Sequence, residues 1–137
     1  MSLARRPTLA TALLSCAALA APPALAQTQA PGGQQDMART LHLAAHNQLG
    51  VLEYCQGQGS IGQDVVDQQR KMMTMLPPPA QTAGLDEAEA TGKQGIIAFA
   101  GSQTALADAA KGQNTTVDAL CKQMGTMIQT QAAQLPK

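Results

Sequence analysis

The chain has no tryptophan, one tyrosine and one phenylalanine in 137 residues. Stacking platforms for bases or sugars, and interfaces anchored on aromatic hot spots, have little to be built from. Charge is scarce too: charged residues make up 13% of the chain, the formal net charge is zero, and no Lys/Arg cluster occurs. A nucleic-acid-binding surface needs a basic footprint, and there is none. C-x-x-C, H-E-x-x-H and G-x-S-x-G are all absent. Redox dithiol, zincin and nucleophile-elbow chemistries therefore lose their sequence basis. No segment after the first 26 residues is long or apolar enough to approach the ~20 residues that span a bilayer.

What is there begins at the N-terminus. Arg5 and Arg6 precede an apolar stretch from Leu9 to Ala21, and Ala24-Leu25-Ala26 precedes Gln27. This is the n-region, h-region and A-x-A site of an export signal. Residues 1–26 are expected to be cleaved, leaving a periplasmic or secreted bacterial protein. Leu13-Leu14-Ser15-Cys16 gives the alternative of a lipoprotein anchored at Cys16. The apolar region continues past Cys16 and a good cleavage site follows, which favours cleavage. Removing Arg5 and Arg6 leaves seven basic against nine acidic residues, so the mature chain is slightly acidic.

Cleavage leaves two cysteines, Cys55 and Cys121. In an oxidising compartment only one intramolecular pairing exists, and a Cys55–Cys121 disulfide is expected. Closing a loop of 65 intervening residues is worth roughly 4 kcal/mol in the chain-entropy account. A domain of this size has a total stability of only ~5–15 kcal/mol.

Residues 27–35 are polar with Pro31, Gly32 and Gly33, and read as a disordered lead-in. Residues 36–137 then read as one helical domain. Asp36 caps a first helix whose stripe is Leu41, Ala45, Leu52 and Cys55, and Gly57 and Gly59 end it. Ser60 and Gln63 suggest a capping box for a second helix that reaches Pro77-Pro78-Pro79. A third runs from Leu85 to about Ala100 on Leu85, Ala88, Gly92, Ile96 and Phe99. Gly92 weakens it, and close approach of a neighbouring helix would compensate. Ser102 caps a short Ala-rich helix. Thr115 and Asp118 start the last, with Val117, Leu120, Cys121, Met124 and Ile128 inward. Asn114-Thr115-Thr116 reads as cap chemistry rather than as a glycosylation site. No strand pattern competes. The predicted fold is all-α, a small bundle of four to five helices braced by one disulfide.

His42 and His46 are the only histidines, spaced i, i+4 on one side of the first helix. That spacing can hold Zn, Cu or haem iron. By helical phase they sit beside the apolar stripe and should be reachable. Glu53 shares their azimuth but lies ~10 Å from His46 along the axis, too far to join them on one helix. Met72, Met73, Met75, Met124 and Met127 suit Cu(I), but they read better as gap-filling core residues. Asp64 with Asp67, and Glu87 with Glu89, read as first-turn acids rather than a catalytic pair.

In outline the chain resembles the small periplasmic acid-stress chaperones, which are exported, all-α and held by one disulfide. The resemblance implies client binding in acid. The cysteine spacing here is longer, and the charged, aromatic-containing segments of that family are absent.

The expectation is an exported, non-catalytic helical protein of the bacterial envelope that acts by binding another protein, in an accessory, chaperone-like or inhibitor role. It needs no cofactor, binds no nucleic acid and does not cross the membrane. The alternative is periplasmic metal or haem binding through His42 and His46.

Overall fold

In the computed structural model, residues 31–79 and 81–135 are described, and they form five helices and one hairpin. The expected export signal with Cys16, and residues 27–30, lie outside the described residues. The helices are α1 (Pro31–Gly57), α2 (Gln63–Met73), α3 (Leu85–Lys93), α4 (Leu106–Gly112) and α5 (Val117–Ala133). Between α3 and α4 lie β1 (Ile96–Phe99) and β2 (Ser102–Ala105), an antiparallel pair.

α1 is the mast of the molecule, and α2, α3, α5 and β1 all pack on it. It starts at Pro31, ahead of the expected cap at Asp36 and inside the stretch read as a lead-in. Proline suits a first turn, where its missing N–H would have no helical partner. Leu41, expected on the inner stripe, is 49% exposed, because among the described residues no element covers that face of the mast so near its start.

Two apolar clusters fill the interior. Val51 and Cys55 of α1 meet Leu106, Ala110, Leu120 and Cys121 in one of them. Leu49 and Leu52 meet Val65, Val66 and Ile128 in the other. Ile61 and Met124 pack against both, and Met72 and Met73 flank the second. Cys55 and Cys121 are disulfide-bonded, with Cα atoms 5.5 Å apart. Ile128, two turns beyond Cys121, reaches Leu52 and Leu49, so α5 runs back along α1.

The all-α expectation is corrected by the hairpin. Two glycines of positive φ decide it. Gly95 (φ +73°) ends α3 with its N–H donated to the Gly92 carbonyl, 2.8 Å away. Left-handed backbone of this kind stops a helix, and glycine adopts it without strain. Ala100 (φ +50°) and Gly101 (φ +83°) then make the two-residue turn whose paired positive φ values match the twist of the strands. Between those breaks stands Ile-Ile-Ala-Phe, β-branched and aromatic. Ile96 and Phe99 continue the spacing of Leu85, Ala88 and Gly92 by coincidence, and Ile97 is the residue that packs on the core.

Helix starts also shift. α2 begins after Gly62 without a side-chain cap, so the Ser60–Gln63 box does not form. It ends at Met73, before the prolines. α5 is capped by Thr116, whose Oγ1 accepts from the Ala119 N–H at 3.1 Å, one residue later than expected. Among the described residues, no helix is long and apolar enough to cross a membrane.

Candidate functional site

α3 lies unusually close to α1, and two glycines make that possible. A Cβ on Gly92 would overlap the Asn47 carbonyl oxygen and stand 2.9 Å from Gly50 Cα. A Cβ on Gly50 would overlap the Glu89 carbonyl oxygen and stand 2.9 Å from Gly92 Cα. The compensation expected for Gly92 is thus present, and its partner is a second glycine.

This close crossing brings α3 side chains into reach of α1. Asn47, 3% exposed, donates from Nδ2 to the carbonyls of Ala88 (3.1 Å) and Ile96 (3.0 Å) and accepts at Oδ1 from the Ala98 N–H (2.8 Å). One buried amide therefore ties the mast, α3 and β1 together with its hydrogen-bonding groups satisfied. Gln69 of α2 is buried likewise, donating to the Ala45 carbonyl at 3.3 Å.

The two histidines are not solvated side chains. His42 is 7% exposed, and its Nε2 faces the Pro77 carbonyl at 2.6 Å. A carbonyl oxygen only accepts, so Nε2 carries the proton and donates. Pro77, at the start of the α2–α3 connector, thus lies against this ring. Arg39 reaches the Ala83 carbonyl of the same connector at 3.5 Å. His46 is half-buried, its Nδ1 3.3 Å from Glu89 Oε2. The connector and α3 thus engage the two rings separately. Among the described residues, no group of three or more His, Cys, Asp or Glu side chains is placed to hold a metal.

Glu53, too distant on its own helix to meet His46, is joined to it through α3. Lys93 Nζ stands 3.0 Å from Glu53 Oε2 and 2.8 Å from Glu89 Oε1. Glu53 also pairs with Arg70 of α2, which reaches Asp67 at 3.2 Å. The result is a chain of alternating charge across three helices. Lys93 holds the Glu89 carboxyl below the ordinary range, with help from His46 and against the opposing effect of burial. Glu89 and Glu53 together hold the Lys93 ammonium above its ordinary value. The two acid pairs of the sequence do not converge: Asp64 bonds Gln129, Asp67 bonds Arg70, and Glu89 faces Lys93.

Beside this network lies an open groove of about 450 Å³ between α1, α3 and the hairpin. Leu43 and Ala44 of α1, Ala88 and Thr91 of α3, and Ala98 and Phe99 of β1 line it. Its charged lining residues are Arg39 and Glu87, one of each sign. Phe99, the one phenylalanine, is 63% exposed beside the turn. Met37 and Leu41 are exposed on the first turns of α1.

Sequence reasoning missed Asn47, Gly50 and the hairpin. An asparagine amid the apolar positions of a helix, and glycines at 50 and 92, were the available signals. No family model, characterised protein or solved structure matches the chain. The likeness to acid-stress chaperones therefore rests on outline alone.

Proposed function

We propose that this is an exported, non-catalytic protein of the bacterial envelope that binds another protein through the hairpin–groove face. The observation that carries the reading is Phe99, 63% exposed at the mouth of a groove of about 450 Å³. A soluble chain with two aromatic residues gains nothing for its own core by holding one of them in water. Its turn is also strained, since Ala100 adopts a positive φ that alanine disfavours. Exposed apolar side chains beside a concavity suit partner contact. The export signal read in the sequence supports the compartment, and the binding role rests on the exposed Phe99 beside the groove.

The test is site-specific photo-crosslinking in the producing cell. A benzophenone residue replacing Phe99 should yield a discrete protein adduct in the periplasmic fraction. The same residue at Lys111, exposed on α4, should not. The chain recovered there should begin at Gln27. Equal adduct patterns at the two positions reject the groove reading, and a diacyl mass on Cys16 rejects the soluble one. The metal or haem alternative through His42 and His46 is read by calorimetric titration with Zn, Cu and haem. It requires binding that His42→Ala weakens.

A further inference from the structure

The hairpin has two edges, and one of them is closed. Asn47 Nδ2 donates to the Ile96 carbonyl and Asn47 Oδ1 accepts from the Ala98 N–H. Those are the two bonds a neighbouring strand would make to β1, so the asparagine amide stands in for one. They place the main-chain groups of residues 96 and 98 on the outer edge of β1, and leave Ile97 and Phe99 to bond β2. In the register Ile97↔Thr104 and Phe99↔Ser102, Thr104 and Ser102 are then the residues of β2 that bond inward. The alternation continues one pair further, where the Leu106 N–H donates to the Gly95 carbonyl at 2.8 Å.

The main-chain N–H groups of Gln103 and Ala105 must therefore point away from β1. Among the described residues neither is hydrogen-bonded elsewhere, and Gln103 is exposed. Strand edges in folded proteins are normally blunted by short length, charge, proline, a bulge or a covering element. Ser102-Gln103-Thr104-Ala105 is short, at four residues, but it has no charge and no proline, and its register with β1 is unbroken.

The groove fixes what such an edge can receive. Ser102 and Gln103 belong to its lining, with Leu43 and Ala44 of α1. A residue paired opposite Gln103 puts its side chain on the same face as Gln103, at the groove, while its neighbours point away. Arg39 and Glu87 offset each other, so the lining favours no net charge in the occupant. We propose that the β2 edge takes up an extended, uncharged segment of the protein partner as a third strand, with an aliphatic side chain opposite Gln103 entering the groove. Main-chain bonds supply affinity in this mode and alternate side chains supply selectivity. The inference rests on the protein-binding reading above and names its chemistry.

The probe is a fluorescent heptapeptide of alternating threonine and valine with blocked termini, added to the oxidised chain. Anisotropy should report binding, and amide shifts should centre on Gln103 and Ala105. Gln103→Pro removes the outward N–H without touching the β1 ladder and should weaken binding at least about tenfold. Gln103→Ala keeps that N–H and should change binding by less than about twofold. If the proline variant loses its folded amide spectrum, a fully N-methylated peptide carries the test, and it should not bind. Unchanged affinity in the folded proline variant, shifts centred elsewhere, or no binding at millimolar peptide each overturn the proposal. So does concentration-dependent dimerisation of the chain alone that Gln103→Pro abolishes, which would give the edge to a second copy. Photo-adducts at residue 99 that survive Gln103→Pro would sink the edge while sparing the protein-binding reading.

Discussion

The two flanks of α1 are held by different physics. On the α2–α5 flank, Leu49, Leu52, Val65, Val66 and Ile128 exclude water, and Cys55–Cys121 ties the chain covalently. On the α3–hairpin flank, two glycines let backbones touch, and Asn47, His46 and Glu89 fasten the contact through polar groups. Apolar packing tolerates small shifts, because its energy follows buried area. A glycine crossing with a fully bonded amide tolerates few, because each bond depends on the backbone spacing. The groove, the strained turn and the open strand edge all sit on the second flank. The apolar flank supplies stability, and the polar flank sets the geometry of the hairpin–groove face proposed as the binding surface.

The comparison breaks most directly at the disulfide. Replacing Cys55 and Cys121 together with serine frees a loop spanning a sequence separation of 66. A loss of roughly 4 kcal/mol is expected in urea unfolding, less any relief of strain. A loss under about 1 kcal/mol would mean that the two apolar clusters hold that flank without it. Next in size is Gly92→Ala. Its Cβ would meet main-chain atoms of Asn47, Val51 and Gly50, which cannot rotate away. The helices must part, at an expected cost of about 3 kcal/mol. Gly50→Ala should cost a similar amount, and the double variant less than the sum, because one separation relieves both overlaps. Additive losses would show that the two glycines do not share a contact.

These flanks also differ in how far the sequence discloses them. Leu52, Cys55, Leu120, Cys121 and Ile128 follow helical spacing, and the apolar flank was legible from them together with the unique cysteine pairing. The polar flank was not. Periodicity counts apolar residues, and here the buried positions of α1 include His42, Asn47 and Gly50. Their burial depends on α3 lying against them, which is a tertiary fact. The hairpin was hidden for a related reason. Ile96 and Phe99 happen to extend a helical stripe, and only the left-handed backbone at Gly95 and Gly101 breaks it. Glu53 and His46 lie too far apart on α1 to meet, and Lys93 and Glu89 of α3 link them.

Asn47→Ala isolates the polar flank without moving its backbones. It strands the Ala98 N–H and the Ile96 carbonyl on β1. The expected global loss is about 2 kcal/mol, part of the penalty being relieved by water entering the space. Hydrogen exchange discriminates better than the total. The Ala98 amide should lose protection by far more than Ile128 on the apolar flank. Equal loss at both sites would mean that the two flanks open as one unit.

The smallest expected effect is also the one that tests the polar flank through pH. The Glu89 carboxyl is held below its ordinary range, chiefly by Lys93 and then by His46. A carboxylate with a depressed folded pKa contributes stability above its unfolded value and loses it as pH falls through the folded one. Glu89→Gln should therefore destabilise the chain at pH 7, by under about 1 kcal/mol for so accessible a pair. The gap to the parent should narrow as pH falls below the ordinary glutamate range and through the depressed folded value, where the parent's carboxyl takes up its proton as well. Paired urea titrations at pH 7 and pH 3 measure the two gaps. A gap as large at pH 3 as at pH 7 would assign the role of Glu89 to packing against α1, leaving the glycine crossing and Asn47 to hold that flank without the ion pairs.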